Sequence, residues 1–173
     1  MFEPFSDIFQ YIAIGFLAQL VDGTLGMAYG LVASTTLLAS GVPPAIASTT
    51  VHTAELFTTG ASALSHWRIR NLDKVLLWRL ALPGALGALI GAYVLTQFDG
   101  NTIKPYIAAY LIFLSLVVIW RELVPATPWS LKPALERVLG FVGGYIDTVG
   151  GGGWGPVVTT TLTATGKDIR KVI

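Results

Sequence analysis

GFLAQLVDGTLGMAYGLVASTTLLASG, residues 15–41, returns without a gap as GFVGGYIDTVGGGGWGPVVTTTLTATG, residues 140–166. Eleven of the 27 paired positions are identical, among them Asp22/Asp147, Gly26/Gly151, Gly30/Gly155, Thr35/Thr160 and Thr36/Thr161. In each copy an apolar run meets an acid and a glycine-rich patch, then resumes as a second apolar run. A membrane helix interrupted at mid-depth reads this way, because irregular backbone is tolerated there only inside protein or along a cavity.

Composition agrees with a membrane setting. Hydrophobic residues make up 53% of the chain and charged residues 12%, and the mean hydropathy is +0.67; a soluble domain has neither balance. The net charge of +1 gives no basis for nucleic-acid binding. Without cysteine there is no disulfide, thiolate or Cys-based metal site. The N-terminal MFEPFSDIFQ lacks the positive start of a signal peptide.

The chain divides into a first repeat at 1–124, a loop at 125–137 and the start of a second repeat at 138–173. Residues 8–21 form the first apolar run, roughly 21 Å as a helix against a hydrocarbon core of about 30 Å, so it is expected not to cross alone. The glycine-rich patch Asp22–Gly30 interrupts it, and the broken element ends at Gly41. Full spans follow at 45–66, 75–96 and 103–120. Gly84, Ala88 and Ala92, with Gly87 and Gly91, suggest a small-residue face for close helix packing.

Each broken element is either one interrupted span or a re-entrant hairpin, and positive charge favours the hairpin. With two hairpins, Arg68, Arg70, Lys74, Arg79, Arg121, Lys132, Arg137, Lys167, Arg170 and Lys171 are cytoplasmic and only Lys104 is outside. With two broken spans the last three move out. Three full spans then separate the copies, and an odd number inverts the second. The fold expected is an all-α integral membrane protein of inverted repeats, a common transporter plan.

A half-helix that starts inside the membrane offers free N–H groups and a positive dipole end, a natural anion site. The substrate candidates are Gly26, Tyr29, Gly30, Thr35, Thr36 and His52, with Gly151, Gly153, Trp154, Gly155 and Thr160. Pro156 fits a first helical turn. Asp22, Glu55 and Asp147 are coupling or structural groups: each aspartate either accepts loop N–H groups or carries a proton. His52 and Glu55 share a helix face and either take part in proton transfer or lock helices together. The threonines either line a wet path or bond their own helix carbonyls; Tyr29 and Trp154 either gate or pack. Trp67, Trp78 and Trp120 suit an interfacial belt. Two scattered histidines give no metal constellation, no nucleophile and base stand together, and neither cofactor nor catalysis is expected.

VDGTLGMAYG, IDTVGGGGWGPVVTTTL and the intervening ASTTVHTAE resemble the sulfite and organosulfonate exporter family, TauE/SafE, also called TSUP. The resemblance covers the whole chain and rests chiefly on the doubled motif. It implies a secondary transporter in the cell inner membrane, multi-pass, moving a small sulfur oxyanion or sulfonate outward, with the lipid bilayer and a homo-oligomer among its partners. A passive anion channel, or a membrane subunit completed by a second chain, are the alternatives. Family members are longer: Ile173 aligns with Ser48, so the second repeat is expected to be incomplete.

The inverted arrangement has a direct test in this cysteine-free chain. Single cysteines at Gly41 and Gly166 should react with an impermeant thiol reagent from opposite sides; labelling from one side would sink it.

Overall fold

The computed structural model describes residues 4–124 and 131–165. Gly166, Lys167, Arg170 and Lys171 lie outside the described residues, as does loop 125–130. Every described element is a helix: α1 (Pro4–Leu25), α2 (Tyr29–Ala39), α3 (Pro44–Arg68), α4 (Lys74–Thr96), α5 (Gly100–Leu123), α6 (Pro133–Gly150), a π-helical turn (Gly155–Thr159) and α7 (Thr160–Ala164). Three are long and apolar enough to cross a membrane: α1 over Ile8–Leu25, α4, and α5 over Gly100–Arg121. At 25 residues α3 matches them in length, but its Thr and Ser content makes it less apolar. The protein is an all-α membrane protein.

Local chemistry sets the helix ends. Pro44 and Pro133 occupy first-turn positions, where a missing N–H costs nothing. Asp73 accepts from the N–H groups of Val75 and Leu76, both at 3.0 Å, and Asp99 from those of Asn101 at 3.0 Å and Thr102 at 3.2 Å. Gly41 (φ +90°) closes α2: its N–H reaches Leu38 O at 3.1 Å and the Val42 N–H reaches Leu37 O at 3.0 Å, a paired closure needing a left-handed residue.

Two sequence expectations need correction. The first apolar run does not stop at residue 21, because α1 continues through Asp22, Gly23 and Thr24 to Leu25 and is long enough to cross. Glycine is tolerated inside the helix, and the interruption shrinks to Gly26–Ala28. The small-residue face of α4 is also rotated from the expected one. Gly84, Gly87 and Gly91 are buried, whereas Ala88 and Ala92 line a cleft with Ala81 and Ala85.

The buried face of α4 packs backbone to backbone on α6. A Cβ at Gly87 would collide with the Phe141 carbonyl and one at Gly144 with the Gly84 carbonyl, and one at Gly91 or Gly140 would come within 2.6 Å of Tyr145 O or Leu80 O. Alanine cannot enter such a contact, which is why the alanines turn to the other side. A partly exposed Arg79 on α4 also reaches the buried Glu136 of α6 at 3.0 Å.

Ala18, Leu31, Leu38, Val51, Leu111 and Leu114 belong to one core that joins α1, α2, α3 and α5. Leu76 and Leu80 of α4 meet Val158 and Leu162 in a second. Large apolar side chains remain outside: Phe16, Phe57, Leu89 and Phe113 are each more than half exposed. Lipid or further helices can cover such a surface and water cannot do so cheaply. Trp67, Trp78 and Trp120 are exposed near helix ends, as an interfacial belt requires.

Gly87→Ala or Gly144→Ala should cost about 1–3 kcal/mol of stability through overpacking. Gly60→Ala, with open space around its Cβ, should be neutral or gain up to about 1 kcal/mol. Thermal unfolding in detergent separates these outcomes; equal melting of G87A and G60A would disprove the backbone contact.

Candidate functional site

The two interruptions have the same bonding. Asp22 Oδ1 accepts from the N–H of Ala28 at 2.8 Å and of Tyr29 at 2.9 Å. Asp147 Oδ1 accepts from Gly153 at 2.7 Å and Trp154 at 2.8 Å. Each acid thus reaches six and seven residues ahead and caps the helix beyond its own break. A left-handed glycine makes the turn in each copy, Gly26 at φ +73° and Gly151 at φ +74°; few other residues adopt that conformation without strain. The Gly26 N–H bonds Asp22 O at 2.5 Å and the Gly151 N–H bonds Asp147 O at 2.6 Å, so each helix closes on its own acid.

These bonds bear on the anion candidates. Four of the N–H groups at the breaks, those of Ala28, Tyr29, Gly153 and Trp154, are already held by the chain's own carboxylates. The carboxylate occupies the position at the positive helix end where an external anion would sit.

The two breaks touch. A Cβ at Gly30 would lie 2.7 Å from Gly151 O and 2.9 Å from Gly152 Cα, and one at Gly155 would lie 2.9 Å from Met27 Cα. Met27 is the equivalent of Gly152, and Gly30 of Gly155, so exchanging the copies exchanges the contacts. Two-fold related surfaces meet in this manner. Glycine is required at these positions because the neighbour is main chain.

Around this junction lies a cleft of about 1430 Å³. Of the sequence candidates it is lined by Asp22, Gly26, Tyr29, Gly30, His52, Glu55, Asp147, Trp154 and Gly155. The ring of Trp154 also packs on α4, where a Cβ at Gly84 would lie 2.8 Å from its Cζ3. Gly151, Gly153, Thr35, Thr36 and Thr160 are not on its wall. Gly151 O and the Gly153 N–H are bonded within the protein. Thr35 is exposed, Thr36 donates to Val32 O at 2.8 Å, and Thr160 donates to the Met27 sulfur at 3.3 Å. Thr49, Thr50 and Thr53 donate to the carbonyls of Ala45, Ile46 and Thr49, and Thr59 to that of Glu55. Their hydroxyls are thus engaged by their own helix.

α3 brings His52 and Glu55 to the second break. His52 Nε2 lies 3.2 Å from Asp147 Oδ2. Donor atoms of His52, Glu55 and Asp147 all fall within 4.8 Å of one another, close enough to share a proton or hold a cation. Nothing in the sequence announces this cluster, since His52 and Asp147 are 95 residues apart. No lysine or arginine lines the cleft among the described residues.

Three residues that the sequence reading passed over belong to the junction. Ser34 donates to Gly151 O at 2.5 Å and Ser48 to Thr148 O at 2.6 Å; both serines are buried. They tie α2 and α3 to the second copy. Their only signal in the sequence is a small hydroxyl on an apolar helix face, and neither serine has an identical counterpart in the other copy. The Tyr110 hydroxyl is buried without a hydrogen-bond partner among the described residues, 2.5 Å from where a Cβ of Gly153 would stand.

Asp22→Ala and Asp147→Ala each remove an acceptor from two N–H groups and should cost roughly 0.5–2 kcal/mol, as for a lost helix cap. Asp147→Ala should cost the more, because His52 also loses its partner. The asparagine variants keep the acceptor and should recover much of that loss; alanine variants that melt with the wild type would show that the caps contribute nothing.

The family model for the sulfite exporter TauE/SafE matches residues 11–173. The chain is 44% identical to the probable membrane transporter protein YtnM of Bacillus subtilis (strain 168), in an alignment covering 92% of this chain and 56% of that one. It is 29% identical to the probable membrane transporter protein ORF9 of a Sinorhizobium species, over 62% of this chain and 41% of the other. The chain therefore spans about half the length of these curated relatives. No solved structure matches it. With the doubled, capped break and the apolar helices already in view, the match over nearly the whole chain settles the family: the protein belongs to the TauE/SafE group of membrane transporters.

Proposed function

We propose that the chain carries the central site of a secondary transporter that exports small sulfur-containing anions, such as sulfite or organosulfonates, with transport coupled to protons. The cleft where the two breaks meet supports this reading, because it places ionisable groups beside two glycine-rich turns within the membrane region. It is a multi-pass protein of the cell inner membrane in this reading. Its repeats are inverted about the Gly30–Gly152 and Gly155–Met27 contacts, and a homo-oligomer is compatible with its exposed apolar faces.

Electrostatics support the proton. Asp22, Glu55 and Asp147 line the cleft near the junction, and His52 pairs with one of them; His66 and Asp73 line it as well. A lone charge in a membrane helix costs on the order of 3 kcal/mol, and an anion approaching three carboxylates adds repulsion. Binding becomes favourable when protons enter with it or are already held. The anion itself would meet His52, Tyr29, Trp154 and the backbone at Gly26, Gly30 and Gly155. Asp22 and Asp147 hold the turns in shape.

Counterflow in proteoliposomes with sulfite, sulfate, thiosulfate and sulfonates at two pH values tests the proposal. Sulfite or a sulfonate should exchange, and a proton gradient should drive its accumulation. His52→Ala should reduce transport to the level of empty liposomes while inserting normally. Strictly downhill flux that ignores the proton gradient would mark a channel instead.

A further inference from the structure

We infer that the coupling proton is held between His52 Nε2 and Asp147 Oδ2, and that Asp22, the sequence equivalent of Asp147, is a fixed cap that carries none. This rests on the proton-coupled reading and assigns the proton to one of two carboxylates that the repeat makes look alike.

The hydrogen-bond inventory of the ring carries the inference. His52 Nδ1 lies 2.7 Å from the Ser48 carbonyl oxygen, which only accepts, so Nδ1 bears a proton. The Ser48 hydroxyl, 3.4 Å from Nδ1, points its own proton at Thr148 O and cannot supply one. The other nitrogen, Nε2, faces Asp147 Oδ2 at 3.2 Å. A bare lone pair there would oppose a carboxylate, whereas a proton between them makes a charge-assisted bond. The pair is therefore complete only with one proton more than a neutral histidine beside an ionised aspartate.

Asp147 is fixed in place for this task. Its Oδ1 is held by the N–H groups of Gly153 and Trp154, leaving Oδ2 toward the ring. Asp22 has the same two backbone bonds, but among the described residues no histidine or basic side chain pairs with it. The other titratable groups nearby are Glu55 on α3, Asp22 on α1, Tyr29 on α2 and Tyr110 on α5. None of them is basic, so no second cation stands against a protonated ring. Among the described residues nothing hydrogen-bonds the Glu55 carboxylate, which lies within 4.8 Å of both partners, placing it to pass that proton to the cleft through one intervening water. In uptake Nε2 gains the proton and its lone pair forms the N–H bond; in release that bond breaks, leaving Nε2 bare beside the anchored carboxylate.

Two measurements test the assignment, and the first needs no transport. The chain has two histidines, so in His66→Gln protein the ¹⁵N spectrum of labelled histidine reports His52 alone. At neutral pH both ring nitrogens should be protonated. Asp147→Asn, whose amide still accepts the Gly153 and Trp154 N–H groups and offers Nδ2–H to the ring, should leave only Nδ1 protonated; Asp22→Asn should match the parent. A bare Nε2 in the parent, an unchanged His52 in the Asp147 variant, or a chelator-sensitive Nε2 signal that reveals a metal ion would each overturn the inference. In proteoliposomes, Asp147→Asn should lose proton-driven accumulation. If the wild type is proton-driven and this variant is too, the assignment fails; if the wild type ignores the gradient, it is the coupling reading that fails.

Discussion

A carboxylate bonded to two backbone N–H groups across a three-residue gap is the contact on which the rest of this molecule depends. Each interrupted helix leaves donors without intrahelical partners, and at membrane depth water does not supply acceptors. Asp22 and Asp147 supply them from within the chain. The charge is placed where the helix dipole favours it, which reduces the cost of keeping an acid in an apolar setting. Once each break is satisfied internally, its glycines are free to serve packing. Gly30, Gly152 and Gly155 then bring the two breaks into main-chain contact.

That contact constrains α4 and α6 as well. Bringing the second break against the first requires α6 to lie deep, and it does so by pressing its backbone into α4 at Gly84, Gly87 and Gly91. Close helix approach driven by missing side chains is effective in a bilayer, where apolar burial gives little advantage and dispersion between fitted surfaces decides. The same rotation of α4 turns Ala81, Ala85, Ala88 and Ala92 toward the cleft. One side of the helix is thus specialised for contact and the other for a smooth apolar wall.

Much of this was legible in the sequence, and the limits have physical causes. The repeat, the acid before each break and the glycine turn could all be read, because they are local and occur twice. The length of α1 could not, since nothing in VDGTL announces that the helix continues to Leu25; a glycine inside a helix and one ending it look alike until φ is known. The face of α4 was misassigned because spacing alone does not say which small residues meet carbonyl oxygens. Ser34, Ser48 and Tyr110 are not legible because the backbone they meet lies in the other half of the chain. The pairing of His52 with Asp147 is of the same kind.

Repetition therefore conveys less about function than about shape. Two copies of one motif give two identical caps, but identical caps need not have identical surroundings, because the helix that brings His52 to the break comes from the first copy and lands on the second. Local geometry is duplicated by duplicated sequence, while chemistry depends on what tertiary packing places alongside it. Asp22 and Asp147 accept the same pair of backbone bonds, and among the described residues His52 pairs only with the second. In a low-dielectric site that neighbour decides whether a carboxylate only holds the chain in shape or also shares a proton.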